Sequence, residues 1–251
     1  MDSVGARKPR PMQGDCRRGG FGSDLLGNPE WEAQNPPCLS PGDRCWGVGV
    51  LGSEGRSTLG EMIVFLGGPD FVSQLRSVLQ VGDARLKQVA RPVTVWNQAL
   101  QTLIDDLIFT AEKTNGVGIA APQVGVPQRL VIVASRPNLR YPQAPTMEPT
   151  ALINPCLLAH SEAVVAGWEG CLSVPNHRGN VVRYREIEVE YLDRHGDWQR
   201  RVWVDFVARI FQHEYDHLEG YLFVDRADPA DVITEAEYSV SNAQLTVPRA
   251  S

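Results

Sequence analysis

The chain has 251 residues, a formal net charge of −6 at pH 7, 43% hydrophobic residues and five cysteines. That apolar share can build one sizeable core, no run approaches the ~18 apolar residues of a membrane helix, and the acidic balance argues against a broad nucleic-acid-binding face. Cys16, Cys38, Cys45, Cys156 and Cys171 lack the regular spacing of a secreted disulfide framework. Residues 1 to about 60 are rich in Gly, Pro, Ser and Arg and poor in periodic aliphatic side chains, so a mostly disordered arm is expected. Asp2, Asp15, Asp24, Glu30 and Glu32 make this arm more acidic than organelle-import leaders usually are. A cytoplasmic location is therefore expected, with organellar import as the alternative.

Organised sequence begins near Val78–Val81 and Leu86, and Pro92 breaks the chain before the first helix. Leu100, Leu103, Ile104, Leu107, Ile108 and Ala111 recur at helical spacing and predict a helix over about 95–114, stopped by Asn115-Gly116. Arg129–Ala134 and Ala151–Ile153 read as short buried strands, the second ending at Asn154-Pro155. Glu186, Glu188 and Glu190 alternate with Ile187, Val189 and Tyr191, which predicts a strand with one wet face. The turn Asp193–Asp197 then leads into Trp198–Val204 and makes a hairpin. From Asp205, the expected N-cap, to Glu219 the sequence reads as a helix apolar on most sides, ended by Gly220. The fold class expected is α+β, with short antiparallel strands packed around a buried C-terminal helix.

That last helix carries His213-Glu214-Tyr215-Asp216-His217, an H-E-x-x-H motif. Residues four apart share a helix face, so His213 and His217 can grip one ion while Glu214 takes the proton of an attacking water. Two satisfied histidines and a solvated glutamate are the bland alternative, but burying His, Glu, Asp and His together without a metal is costly. A catalytic site of this type needs a third protein ligand. The histidine that one group of such enzymes places six residues beyond the second is here Phe223. A downstream glutamate, Glu235 or Glu237, is one candidate; Cys171 in Glu169-Gly170-Cys171-Leu172-Ser173 is the other, although a free cysteine is commonly just a small buried hydrophobe. Gly116-Val-Gly-Ile-Ala-Ala-Pro-Gln123 adds small residues that permit close backbone approach, a weak signal by itself.

Taken together and in this order, G-V-G-I-A-A-P-Q, E-G-C-L-S and Q-H-E-Y-D-H-L-E-G resemble the three signature motifs of peptide deformylases, and Val78–Leu86 resembles the family's opening. The resemblance covers roughly residues 76–226, leaving 1–75 as an extension and 227–251 as a tail. It implies removal of the formyl group from the N-terminal formyl-methionine of new chains, releasing formate. It also implies Cys171, His213 and His217 as ligands of Fe²⁺, with Zn²⁺, Ni²⁺ or Co²⁺ able to substitute, and Glu214 as proton carrier. Gln123 and the Leu172 backbone N–H are the implied oxyanion donors. Gly116, Val117, Gly118, Phe206, Ile210 and the His213 ring match the substrate pocket, Arg178 a position near the substrate backbone, and Glu169 with Arg183 a structural ion pair. Trp168 and Arg209 resemble the branch found in cyanobacteria and plant organelles. The implied partners are N-formylmethionyl nascent chains, without direct nucleic-acid or membrane binding. The basic ribosome-docking helix of some bacterial members is not matched by a tail in which Asp228, Asp231, Glu235 and Glu237 are prominent. His160, His177 and His195 are expected to be solvated.

Overall fold

The computed structural model describes residues 73–138 and 141–246. The disorder expected near the N-terminus lies outside the described residues.

The first helix, α1 (Gln98–Lys113), begins three residues later than its apolar periodicity suggests. Asn97 is extended, and its side chain accepts the Leu100 N–H at 3.0 Å, which fixes the start there. At the far end Asn115 adopts φ 54° and the Gly116 N–H closes on the Ala111 carbonyl at 2.8 Å, so Asn-Gly ends the helix as expected.

The strands form two antiparallel sheets. In the first, β1 (Gly118–Ala120), β2 (Leu130–Val133), β3 (Thr150–His160), β6 (Glu186–Leu192) and β7 (Trp198–Val204) lie in that order. The second holds β4 (Val164–Cys171), β5 (Val174–Tyr184) and β8 (Val232–Thr234). The second major helix, α2 (Asp205–Leu218), packs on one face of the five-stranded sheet and α1 on the other. This explains the unbroken apolar run in β2: Leu130 and Ile132 join the α1 core, Val131 and Val133 the α2 core. Alternation in β6 follows the expected pattern, with Ile187, Val189 and Tyr191 buried.

Two further boundaries differ from expectation. β3 does not stop at Asn154-Pro155. Asn154 takes φ 50°, the register shifts between Ile153 and Cys156, and a proline is tolerated in such a bulge. The Asn154 amide also bonds both the N–H and the carbonyl of Val93 at 2.8 Å. Asp205 is not the cap of α2; Val204 occupies that position, and Asp205 accepts from Arg185 Nε at 2.9 Å. Gly220 does end α2: it sits at φ 80°, and a Cβ there would lie 2.6 Å from the Lys87 carbonyl oxygen. The β4–β5 hairpin was not foreseen, because Gly167, Gly170, Pro175 and Gly179 interrupt its alternation. The expected tail is also structured, adding β8 to the second sheet and then α3 (Glu235–Thr246). No helix among the described residues is long and apolar enough to cross a membrane.

Candidate functional site

His213, Glu214 and His217 lie on the face of α2 turned toward the end of β4, where Cys171 stands. The Cys171 Sγ is 3.3 Å from His217 Nε2, and ligand atoms of Cys171, His213 and His217 all fall within 4.8 Å of one another. They are the only such group among the described residues. The other candidate third ligands are engaged elsewhere: Glu235 accepts two hydrogen bonds from Arg178, and Glu237 accepts from the N–H and hydroxyl of Thr234.

The carboxylate of Glu169 fixes the imidazole of His213. His213 Nδ1 is 2.8 Å from Glu169 Oε2, and an ionised carboxylate only accepts, so Nδ1 carries the proton and Nε2 is left to face the sulfur. Burial alone would raise the Glu169 pKa. Arg183, donating through Nε and a terminal nitrogen at 3.0 Å each, and His213 reverse that and hold it well below the usual range. A terminal nitrogen of Arg209 adds a further bond to Glu169 at 2.8 Å. Arg183 also reaches Asp216 Oδ2 at 2.6 Å, and Arg226 pairs with Asp216 Oδ1 at 2.8 Å. The pair Glu169–Arg183 is therefore one part of a larger buried network that ties β4 and β5 to α2.

For His217, burial pushes the pKa well below its ordinary value, with the neighbouring His213 adding to the effect. In His213 the same burial is outweighed by the hydrogen bonds to Cys171 and Glu169, which hold its pKa well above the ordinary value. Thiol and imidazole ligands lose their protons when a divalent cation binds. Glu214 is 4% exposed; burial pushes its carboxyl up to about 7, and its Oε2 is buried with no hydrogen-bond partner among the described residues. Sulfur, two imidazoles and an unsatisfied carboxylate oxygen fit a borderline divalent ion with one position left open.

Gln123 lies just after β1 with its amide oriented at both ends. Its Oε1 accepts from the Ala120 N–H at 2.8 Å, and its Nε2 donates to Ser173 Oγ at 3.1 Å and to Cys171 Sγ at 3.4 Å. The Ser173 N–H donates to the same sulfur at 3.4 Å. Gly118 faces Glu214 so closely that a Cβ would lie 2.5 Å from Oε1. This is the close approach that the small residues of this segment permit.

A pocket opens beside these groups. Gly116, Val117, Gly118, Leu172, Phe206 and Ile210 line it, together with Tyr141, Trp168 and Arg209. Arg178 is not on its wall: it is 1% exposed and bound to Glu235. His160, His177 and His195 stand away from the site in exposed positions. Sequence reasoning gave no role to Tyr141, Ser173 or Asp216. Tyr141 sits in a loop without periodicity, whereas a charged Asp216 on a helix expected to be buried was a signal that it needed a partner.

An H-E-x-x-H helix with a cysteine brought to both imidazoles defines a class of metal-dependent hydrolases. Residues 75–232 match the polypeptide deformylase family. The chain is 57% identical over 167 residues to peptide deformylase 2 of Nostoc sp., covering 66% of this chain and 93% of that one. Among solved structures, a class I type b peptide deformylase of Acinetobacter baumannii bound to Met-Ala-Ser is 46% identical, with a TM-score of 0.61 over 62% of this chain and 99% of that one. The Thermotoga maritima peptide deformylase is 34% identical, with a TM-score of 0.56. The chain belongs to the peptide deformylase family.

Proposed function

We propose that this peptide deformylase hydrolyses the N-formyl group of formyl-methionyl chains through a centre formed by Cys171, His213, His217 and Glu214. The observation that carries this assignment is the convergence of one sulfur and two imidazoles within 4.8 Å beside a buried carboxylate. A divalent ion, which Cys171, His213 and His217 would hold, would supply Lewis acidity to an attacking water and to the formyl oxygen. The remaining work falls to the chain itself. Glu214, poised near neutrality, takes the proton from water as its oxygen bonds to the formyl carbon, then delivers it to the amine nitrogen as the C–N bond breaks. One water is consumed; formate and a free methionyl amine leave. The Leu172 N–H and the Gln123 amide donate to the developing oxyanion, each contributing ~3 kcal/mol. Val117, Phe206, Ile210 and the His213 ring hold the methionine side chain, with Gly116 and Gly118 as the backbone floor.

Fe²⁺ is the metal assigned within this reading, and Zn²⁺, Ni²⁺ or Co²⁺ can replace it; thiolate and imidazole donors suit all four. The catalytic domain is assigned to residues 76–226, with 1–75 an extension, a division supported by the family match over 75–232. The partners are formylated nascent chains, as the Met-Ala-Ser complex of the Acinetobacter relative supports. Bacterial relatives support a cytoplasmic location. Docking to the ribosome through a basic C-terminal helix is not part of this reading, because the first turn of α3 carries Glu235 and Glu237.

The test is formate release from formyl-Met-Ala-Ser by anaerobically purified, Fe²⁺-loaded protein beside Glu214→Ala. Formate from the native chain and none from the variant is the expected result. Equal release by the two removes Glu214 from the role, and no release from native protein overturns the activity.

A further inference from the structure

Helix α3 lies beyond residues 75–232, the segment that matches the family, yet it docks on residues that reach the pocket. Glu235, at its start, accepts from Arg178 Nε and from a terminal nitrogen, both at 2.9 Å. One turn on, the Tyr238 ring sits 4.5 Å from the Arg178 guanidinium carbon and packs edge-on against Trp168, with ring centroids 5.5 Å apart. Trp168 is a wall of the pocket.

The Arg178 guanidinium carbon also lies 5.4 Å from the Tyr141 ring. Tyr141 is a second wall: its ring packs on Phe206 at 5.1 Å, and its hydroxyl accepts from the Gly170 N–H at 3.3 Å, one residue before Cys171. A continuous chain of contacts therefore runs from Tyr238 through Arg178 to Tyr141 and Phe206, with a branch to Trp168. Arg178 is its pivot. This guanidinium is almost wholly buried, and one terminal nitrogen has no hydrogen-bond partner among the described residues, so its position depends on Glu235 and on the two aromatic rings beside it. Without α3, a buried cation would lose its counter-charge and one of those rings, and the aromatic walls at either end would lose a common support.

We propose that α3 sets the shape of the peptide-binding mouth, with Tyr238 as the positioning residue that holds Trp168 directly and Tyr141 through Arg178. The inference rests on the deformylase reading above. Tyr238 meets Trp168 and Arg178 and is not among the residues that line the pocket with Cys171, His213 and Glu214, so its effect falls on binding of the peptide rather than on the chemical step.

The experiment compares full-length native protein with Tyr238→Ala, Tyr238→Phe and Glu235→Gln, all loaded with Fe²⁺, using formyl-Met-Ala-Ser. Loss of one edge-on ring contact and one cation–π face predicts a KM raised roughly tenfold in Tyr238→Ala. Its kcat stays within twofold of native; Tyr238→Phe, which keeps the ring, restores KM, and Glu235→Gln raises KM less than Tyr238→Ala. An unchanged KM in Tyr238→Ala overturns the proposal, as does a fall in kcat that matches the rise in KM or a failure of Tyr238→Phe to restore binding. In each of those cases formate from the native protein leaves the deformylase reading standing, whereas no formate from the native protein removes that reading itself.

Discussion

Gly118→Ala tests the proposed proton carrier by adding a single methyl group. The new Cβ would lie 2.5 Å from Glu214 Oε1 and 2.9 Å from its Cδ and Cγ, where ordinary contact begins at 3.4 Å. About 1 Å of movement is needed, and it cannot come easily from β1. That strand is paired residue for residue with β2 (Gly118 with Val133, Ile119 with Ile132), and both strands are buried. Glu214 therefore moves, at a cost of about 1 kcal/mol for leaving its rotamer, and the overpacked site loses about 1–3 kcal/mol of stability. Displacing a catalytic group by 1 Å costs on the order of 100-fold in rate. The expected outcome is a roughly 100-fold lower kcat for formyl-Met-Ala-Ser, with metal content unchanged, because the three atoms nearest the added methyl all belong to Glu214. Formate release, metal analysis by mass spectrometry and thermal unfolding are measured on the same preparation. A metal-loaded, folded variant with kcat within threefold of native would refute Glu214 as the group that moves the proton from this position.

Replacing Cys171 with Ala should abolish stoichiometric metal binding while Glu237→Ala keeps it; the reverse pattern in metal analysis would favour a peptidase-like ligand set. Arg183→Met leaves Glu169 and Asp216 buried with weaker compensation from Arg209, His213 and Arg226, so chemical denaturation should show a loss near the low end of the usual cost of breaking a buried pair, about 3 kcal/mol. A loss under about 1 kcal/mol would contradict that role for the network. Asp193 accepts from the N–H groups of His195 and Asp197 and from Gln199, contacts that outweigh burial and keep its pKa below the ordinary value. Its contribution is therefore present above the unfolded pKa of about 3.9 and lost as pH falls through the native one. Asp193→Ala should cost about 1 kcal/mol at neutral pH, and the gap from native should close below about pH 4; a constant gap would argue against a charge-dependent role. A chain starting at Gln74 should keep native kcat/KM, since Gln74 and Arg76 already anchor that end to Asp106 and Thr110 of α1. Loss of activity on that truncation would assign the extension a part in catalysis.

The parts of the fold that could be read from sequence are those where one local signal dominates. The stripe on α1 and the alternation of β6 each reflect one buried face, and the H-E-x-x-H spacing sets its histidines one turn apart on α2. The β4–β5 hairpin was hidden because its residues serve the site and the contact with α2 rather than a uniform apolar face, so Gly, Pro, Glu and Arg replace the alternation. The same limit applies within the site. Two candidate ligands and the proposed base follow from the spacing on one helix, whereas Cys171 becomes a convincing partner only through its motif or through tertiary contact. Tyr141, Ser173 and Tyr238 act across long chain separations and leave no local pattern.

The bonds that shape the site are also those that join the second sheet to α2. Glu169 orients His213, and Arg209 links the same carboxylate to the carbonyls of Val165, Gly167 and Val181. Catalytic geometry and sheet docking are therefore not independent traits in this protein. A substitution in this seam that retunes the imidazole also changes cohesion between the two sheets, and paired substitutions there will depart from the sum of their separate effects. Adaptation of the site is thereby steered away from this seam, since any change there is also a change to the frame.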